Sequence, residues 1–592
     1  MSGITTADHH IDPGSESRSH PGPNRFPKLT LWTARTALLL IAAWLVHRAA
    51  WFGDDCLITL RTALNLTHGW GWGFNATEAV QGYTHPLWFL MWSAIGAATN
   101  QWIVGIMWFS IMCSVGAIAI VISRTRSLTL SVAALAALMG SNAFFDYTTS
   151  GLENPLSYLL VGLFALWCLR WNHASQLIGP DAEDSSVRSK PATASWGSWI
   201  GLGLIVAALS LTRLDLIVVV LPPLALLVWR FRSMWRSLLP RYLAATTTFV
   251  LVAGSWFVWA HHIYGAWLPN TYLAKQNSDI GLPSMIFRGA VYVVFSTLRD
   301  PVTAVVLLGG LLLAIRWGRG MERALVIGAL AYLAYTVYIG GDFMVGRFLA
   351  VPVYLMVLVG LSITDRLTEE GSVELLRKVR DRPSMTLLVV VAILASLAVA
   401  GRLLPISVQT AVVPTSVNPR LPARWIIQGA PAGIADERGY YIAYREAASP
   451  RGAGPDVPPF VPTPLVGLLR PVLPGSEAYP RVTQLSATAR SWPENVSGRL
   501  IGVPSDVGAT CGGLGLRGML TGPDVHWIDP CGLTDRFLAE TPYATNGRQW
   551  RTGHLDRPIP DGYVDAIRTN DPSRVVDPQL RVKLEELWRT IR

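Results

Sequence analysis

Charge is scarce in this chain. Only 15% of its 592 residues are Asp, Glu, Lys or Arg, against roughly 25% in ordinary soluble domains, and that shortage argues against a water-soluble globular enzyme. Cysteine is also scarce, five in all, too few for a disulfide-built scaffold. No internal repeat is evident, which argues against a repeat array. No cleavable secretory leader is expected, because the Ser-, Gly-, Pro-, Asp- and His-rich residues 1–30 precede an apolar stretch with no small-residue cleavage site; that lead is expected to be disordered. The net charge of +10 does not point to nucleic acid, since apolar runs interrupt the basic residues; cationic loops beside anionic lipid headgroups explain them better.

What is abundant is apolar. Hydrophobic residues make up 51% of the chain, in stretches near 31–50, 102–122, 128–145, 155–169, 198–212, 216–229, 242–262, 301–316, 323–339, 348–362 and 385–400. These predict a polytopic α-helical membrane protein of about nine to eleven transmembrane helices, although several stretches fall short of the roughly 20 residues a crossing needs. Short-loop basic residues, among them Arg124, Arg170, Arg230 to Arg241, Arg316 to Arg323 and Arg366 to Arg382, read as cytoplasmic. With the N-terminus inside, residues 51–101, 146–154, 263–300, 340–347 and everything after 401 then share the outer face of the plasma membrane. Residues 86–99 fit this scheme as an interfacial helix with Trp88 and Trp92 on one face, and 284–299 as a second such element. The domains expected are a cytoplasmic lead (1–30), a transmembrane body with outer loops (31–400), and a mixed extracytoplasmic tail (401–592). The tail ends in a helix from about Asp577 to Trp588, and its Trp425, Trp492, Trp527 and Trp550 are candidates for stacking on glycan. Cys56, Cys113 and Cys168 read as small apolar residues, whereas Cys511 and Cys531, in a turn-rich tail outside the cytoplasm, are a candidate disulfide.

The most informative local feature is the pair Asp54 and Asp55 in Trp51-Phe-Gly-Asp-Asp-Cys56, immediately after the first apolar stretch. Helical spacing from Cys56 to His68 puts them at a helix start, where one would suffice as a cap. Two neighbouring carboxylates can also divide labour, one as general base and one as base-positioner or ligand to Mg2+, Mn2+ or Ca2+. On the same predicted face lie His261 and His262, with His262 a further metal candidate beside Asp54 and Asp55. Asn270, Tyr272 and Lys275 follow a proline and are candidates for a phosphate-bearing head group. Arg213 and Asp215, between apolar runs, are costly unless paired or facing a polar cavity. Glu153 carries the same ambiguity, with helix capping slightly ahead. Asp342 and Arg347 flank a glycine-rich turn and either pair with each other or reach the cavity. His85 is held extended by Pro86. Trp51, Trp70 and Trp72 are candidate sugar platforms, set against a membrane aromatic belt.

Together, Asp54-Asp55, Arg61, Asn65, Gly69, Asn75, Gly82-Tyr-Thr-His-Pro-Leu-Trp88, Thr149-Ser-Gly-Leu-Glu153, Thr212-Arg-Leu-Asp215, Pro269-Asn-Thr-Tyr-Leu-Ala-Lys275 and Gly341-Asp-Phe-Met344 through Arg347 resemble the membrane-embedded C-type glycosyltransferases. The likeness is nearest to the terminal β-(1→2) arabinofuranosyltransferases of mycobacterial-type cell walls. It implies a helical membrane body with catalytic outer loops and a soluble outer domain. It also implies a decaprenyl-phosphoryl-arabinofuranose donor, an arabinan acceptor in arabinogalactan or lipoarabinomannan, and no nucleotide cofactor; it leaves a divalent cation open. Asp54 or Asp55 would assist the acceptor 2-hydroxyl, and Arg213, Lys275, Arg347 or His262 would meet the leaving phosphate. If a β donor gives a β product, configuration is retained, which calls for double displacement or a short-lived ion pair. Two other classes fit less well. A lipid-linked glycan transporter would place paired charges nearer midmembrane. A glycan-binding anchor would leave the carboxylates and cations without a shared task.

Overall fold

The structure, a computed structural model, describes residues 28–125, 127–176, 195–370, 434–435, 437–438, 479–494, 503–546 and 552–592. The lead through 27, the apolar stretch 385–400, Trp425 and Trp550 lie outside the described residues.

The body is helical. Its elements are α1 (Lys28–Arg48), α2 (Asp54–Thr67), α3 (Pro86–Thr99), α4 (Trp102–Ile122), α5 (Leu128–Gly140), α6 (Asn142–Phe145), α7 (Asn154–Gln176) and α8 (Trp196–Thr212). There follow α9 (Ile217–Arg230), α10 (Trp235–Tyr264), α11 (Asn270–Gln276), α12 (Leu282–Arg299), α13 (Pro301–Trp317), α14 (Gly320–Tyr338) and α15 (Ala350–Glu369). Polar residues set the helix starts: Ser127 accepts the Leu130 amide before α5, and Asp300 accepts that of Thr303 before α13, where Pro301 takes the first helical position. Each expected apolar stretch up to 348–362 falls mainly on helix, but 128–145 is divided between α5 and α6, which meet at a bend of 75°.

Among the described residues, three helices are long and apolar enough to cross a bilayer alone, and up to five spans result if each bent pair counts as one. Several others are shorter: a 17-residue helix such as α8 reaches about 25 Å, under the roughly 30 Å of hydrocarbon. α10 buries only 11% of its most apolar window, turning Leu243, Val250, Leu251 and Val258 outward. So large an unburied apolar face belongs in lipid rather than water. At one end of the body Arg366 pairs with Glu322 at 3.0 Å and Arg319 with Glu370 at 3.0 Å, gathering basic residues that the charge pattern assigned to a common side.

The body's largest apolar cluster includes Phe144, Tyr158, Leu325, Tyr354 and Leu358. A second, at the opposite end, joins Trp88, Trp92, Trp102, Ala207 and Ala260 to Leu485, Trp492 and Met519 of the tail. The interfacial reading of Trp88 and Trp92 is corrected here. Both are fully buried, donating to Gly151 O at 2.9 Å and Trp102 O at 2.7 Å, because α3 is covered by its neighbours instead of by headgroups.

The described tail comprises α16 (Tyr479–Arg490), β1 (Asp506–Ala509), α17 (Leu514–Thr521), β2 (Val525–Ile528), α18 (Arg536–Glu540), α19 (Tyr563–Thr569) and α20 (Pro578–Ile591). β1 and β2 pair in parallel, Asp506 opposite Val525, with α17 as the crossover. The structure joins Cys511 to Cys531, Cα atoms 5.1 Å apart. Asp577 caps α20 through the Gln579 and Leu580 amides, at the place expected for the final helix. The membrane-side loop after α2 completes the small sheet: the Asn75 carboxamide accepts the Trp527 N–H and donates to its carbonyl, both at 2.9 Å. Arg61 of α2 donates to Val525 O at 2.8 Å.

Candidate active site

Backbone geometry brings the loops together before any side chain acts. The Gly53 amide donates to Ser150 O at 3.2 Å, stitching the Asp54-Asp55 segment to the one bearing Glu153. Gly151, at φ +79°, lies so close to α2 that a Cβ would sit 2.6 Å from Cys56 Sγ; only glycine fits there. Gly340, Gly341 and Gly346 also have positive φ, and a Cβ on Gly341 would meet Tyr292 at 2.5 Å. That turn delivers Asp342 and Arg347 to the same place.

At the centre is Glu153, fully buried. It accepts from Arg213 Nη1 at 2.9 Å and Arg347 Nη2 at 3.1 Å, and its Oε2 lies 3.2 Å from His85 Nδ1. Burial would raise its pKa, but Arg347, His85 and Arg213 hold the carboxyl well below the usual range. Its main-chain carbonyl meanwhile accepts the Ser157 amide, so it also starts α7; the capping reading covers the backbone and misses the side chain. Glu153 is thus the residue that sequence reasoning underweighted. Its available signal was an acid in Ser-Gly-Leu-Glu beside an apolar helix.

Arg213 forks onto Asp215, Nε to Oδ1 at 3.0 Å and Nη2 to Oδ2 at 2.6 Å, over the Phe348 ring at 4.4 Å. Tyr332 donates to the same carboxylate at 3.3 Å. Arg347 lies 3.5 Å from Asp342, whose Oδ1 accepts the Phe343 amide at 2.8 Å. Both guanidiniums keep 11% side-chain exposure while Glu153 keeps none, so the carboxylate is interior and the arginines reach its open side. His85 Nε2 meets Thr59 Oγ1 at 2.9 Å; burial, only partly offset by Glu153, pushes its imidazole down to about 4, leaving it neutral at physiological pH.

Lys275 on α11 is solvent-accessible, yet enough protein surrounds it that burial lowers its ammonium pKa against the raising charge of Asp342. It makes no ion pair among the described residues, unlike Arg213 and Arg347. Asp55, half-buried, is close enough for its charge to act on Arg347. Asp54 faces elsewhere, accepting the Gly515 amide at 3.1 Å and the Leu516 amide at 2.7 Å.

Other expected site residues take different places. Asn270 is buried, its carboxamide donating to Gly532 O at 2.7 Å and Asp535 O at 3.1 Å; it holds the tail instead of a head group. Trp51 is buried, donating to Asp146 O at 2.5 Å, and is no sugar platform. Trp492 and Trp527 are buried too, one against Asn65 at 3.3 Å and one in β2. Trp70 and Trp72 are half-buried, the first donating to Pro493 O and the second edge-on to Trp259 at 4.4 Å. Tyr272 is exposed and accepts from Gln276 at 2.5 Å. His261 stacks on Trp267 at 4.2 Å, and His262 is exposed in the last turn of α10. Among the described residues no three of His, Cys, Asp and Glu form a group able to hold a metal ion, so Asp54, Asp55 and His262 do not gather as ligands.

Apolar helices with an outward apolar surface, and a knot of carboxylates and arginines at the tail-covered end, define a polytopic helical membrane protein with one polar working end. Over 404 residues the chain is 28% identical to the terminal β-(1→2)-arabinofuranosyltransferase of Corynebacterium glutamicum, covering 60% of this chain and 54% of that protein. Over 373 residues it is 25% identical to the protein of the same name from Mycobacterium tuberculosis, covering 56% and 55%. The chain thus spans about half the length of the curated relatives it matches. A solved structure, ArnT from Cupriavidus metallidurans bound to undecaprenyl phosphate, aligns over 88% of this chain and 91% of that one, at 13% identity and a TM-score of 0.46. No family model matches the chain.

Proposed function

We propose that this protein is a C-type glycosyltransferase that transfers arabinofuranose from decaprenyl-phosphoryl-arabinofuranose to terminal arabinan of arabinogalactan and lipoarabinomannan, forming β-(1→2) linkages at the outer face of the plasma membrane. The observation that carries it is the convergence on one end of an apolar helical body of the solvent-accessible ammonium of Lys275, without an ion pair among the described residues, with the Arg213–Glu153–Arg347 network. The two relatives' names support the sugar and the linkage.

In this reading the lipid lies along the apolar helices and its phosphate meets Lys275, with Arg213 and Arg347 behind it. The bond from the anomeric carbon to phosphate oxygen breaks as negative charge develops on the phosphate, where fixed cations stabilise it. A bond to the acceptor 2-oxygen forms, and Asp55 takes the hydroxyl proton. With no three-residue ligand group among the described residues, no step is routed through a cation. The purified chain should transfer arabinofuranose from the decaprenyl-phosphoryl donor to a short arabinan, with the product read by linkage analysis. Asp55→Asn should abolish transfer, and chelation followed by restoring Mg2+, Mn2+ or Ca2+ tests metal dependence. Transfer of a different sugar only would correct the donor; no transfer from any lipid-linked sugar by folded protein would overturn the reading.

A further inference from the structure

The adjacent carboxylates of the first outer loop point to different partners. Both Asp54 oxygens accept amides of α17, Gly515 at 3.1 Å and Leu516 at 2.7 Å. The contact is close by construction: a Cβ on Gly515 would lie 2.1 Å from the Asp54 carbonyl and 2.9 Å from Leu57 Cβ, and one on Gly518 would lie 2.5 Å from Arg61 Nη1 and Phe74 Cζ. Arg61 and Asn75 then hold β2, the strand after α17. The same tail reaches the other site loops. Asn270 at the start of the Lys275 helix grips Gly532 and Asp535, and Arg557 donates to the carbonyls of Ala274 and Asn277. Thr552 donates to Gly340 O at 3.0 Å, and His554 meets Phe343 edge-on at 4.5 Å, both on the loop that carries Asp342 and Arg347.

We propose that Asp54 is a positioning residue: its carboxylate pins α17, and through it the tail, across the loops that carry Asp55, Lys275 and Arg347. With both Asp54 oxygens engaged by backbone amides of α17, the pair divides its labour, with proton transfer assigned to Asp55. This deepens the proposed transferase reading and rests on it.

A carboxamide can still accept an N–H but cannot act as the base, and the test uses that difference. Asp54→Asn should lower transfer by no more than about tenfold and Asp54→Ala by about a hundredfold, while Asp55→Asn and Asp55→Ala should be equally inactive. Hydrogen exchange at Gly515 and Leu516 in the full-length protein should quicken in Asp54→Ala and stay unchanged in Asp55→Asn. Gly515→Ala, which breaks the same contact from the tail side, should reproduce the Asp54→Ala defect, and the double variant of Asp54→Ala with Gly515→Ala should be no worse than either single one. Equal loss of activity in Asp54→Asn and Asp54→Ala with unchanged exchange would overturn the proposal, as would additive effects in the double variant. If the wild type transfers no sugar, the transferase reading falls, and the exchange measurement still decides whether Asp54 pins the tail.

Discussion

Replacing Glu153 by Gln removes one charge and almost no volume. At an effective dielectric near 20, a pair of unit charges about 3 Å apart is worth about 5 kcal/mol, and Glu153 makes two such contacts, at 2.9 and 3.1 Å. Taking the carboxylate out of water costs several kcal/mol, so the net loss on breaking such a buried network is about 3–5 kcal/mol. Because Gln keeps an acceptor oxygen, and Arg213 and Arg347 keep Asp215 and Asp342, the lower end, about 3 kcal/mol, is expected. Two guanidiniums without their shared counter-ion should also turn away from the donor phosphate position. Thermal unfolding of the purified protein in detergent, beside donor binding, should show a clear fall in midpoint together with weaker binding. A Glu153→Gln protein as stable as wild type and binding donor equally well would refute the claim that this carboxylate organises the site.

Stability should also depend on pH through His85. Its folded pKa, about 4, lies below the roughly 6.5 of a free imidazole, so the unfolded chain binds the extra proton first and stability falls as pH drops from 6.5 towards 4, by up to about 3 kcal/mol. His85→Gln should flatten that window, as read from unfolding midpoints at successive pH values. Reducing the Cys511–Cys531 bridge, which closes a 20-residue separation around α17, should cost the tail about 3 kcal/mol and expose it to protease before the helical body.

Much of the helical body was legible because hydropathy and loop charge are local properties. The start of α3 at Pro86, the N-cap at Asp577 and the glycine turn before Arg347 follow from residue types whose backbone preferences need no partner. What was not legible is tertiary. Trp88 and Trp92, four apart on α3, have the same spacing whether they face headgroups or other helices, and only the assembled neighbours bury them. Asn270 reads as a polar residue near a substrate, yet its partners lie more than 260 positions away in the tail. Glu153 reads as a helix-start acid because its three polar side-chain partners come from three separate segments. The disulfide, by contrast, needed only two cysteines in a turn-rich tail.

The grip of Asn75 on Trp527 bears on how the protein can be taken apart. Among the described residues the tail's sheet has two parallel strands, too few to stand alone, and its edge is finished by a side chain from the membrane-anchored portion. The tail is therefore not a portable module: excised, it would present an unfinished strand edge, a template for self-association. Any graft of it onto another membrane body would have to carry the loop from Asp54 to Asn75 as well.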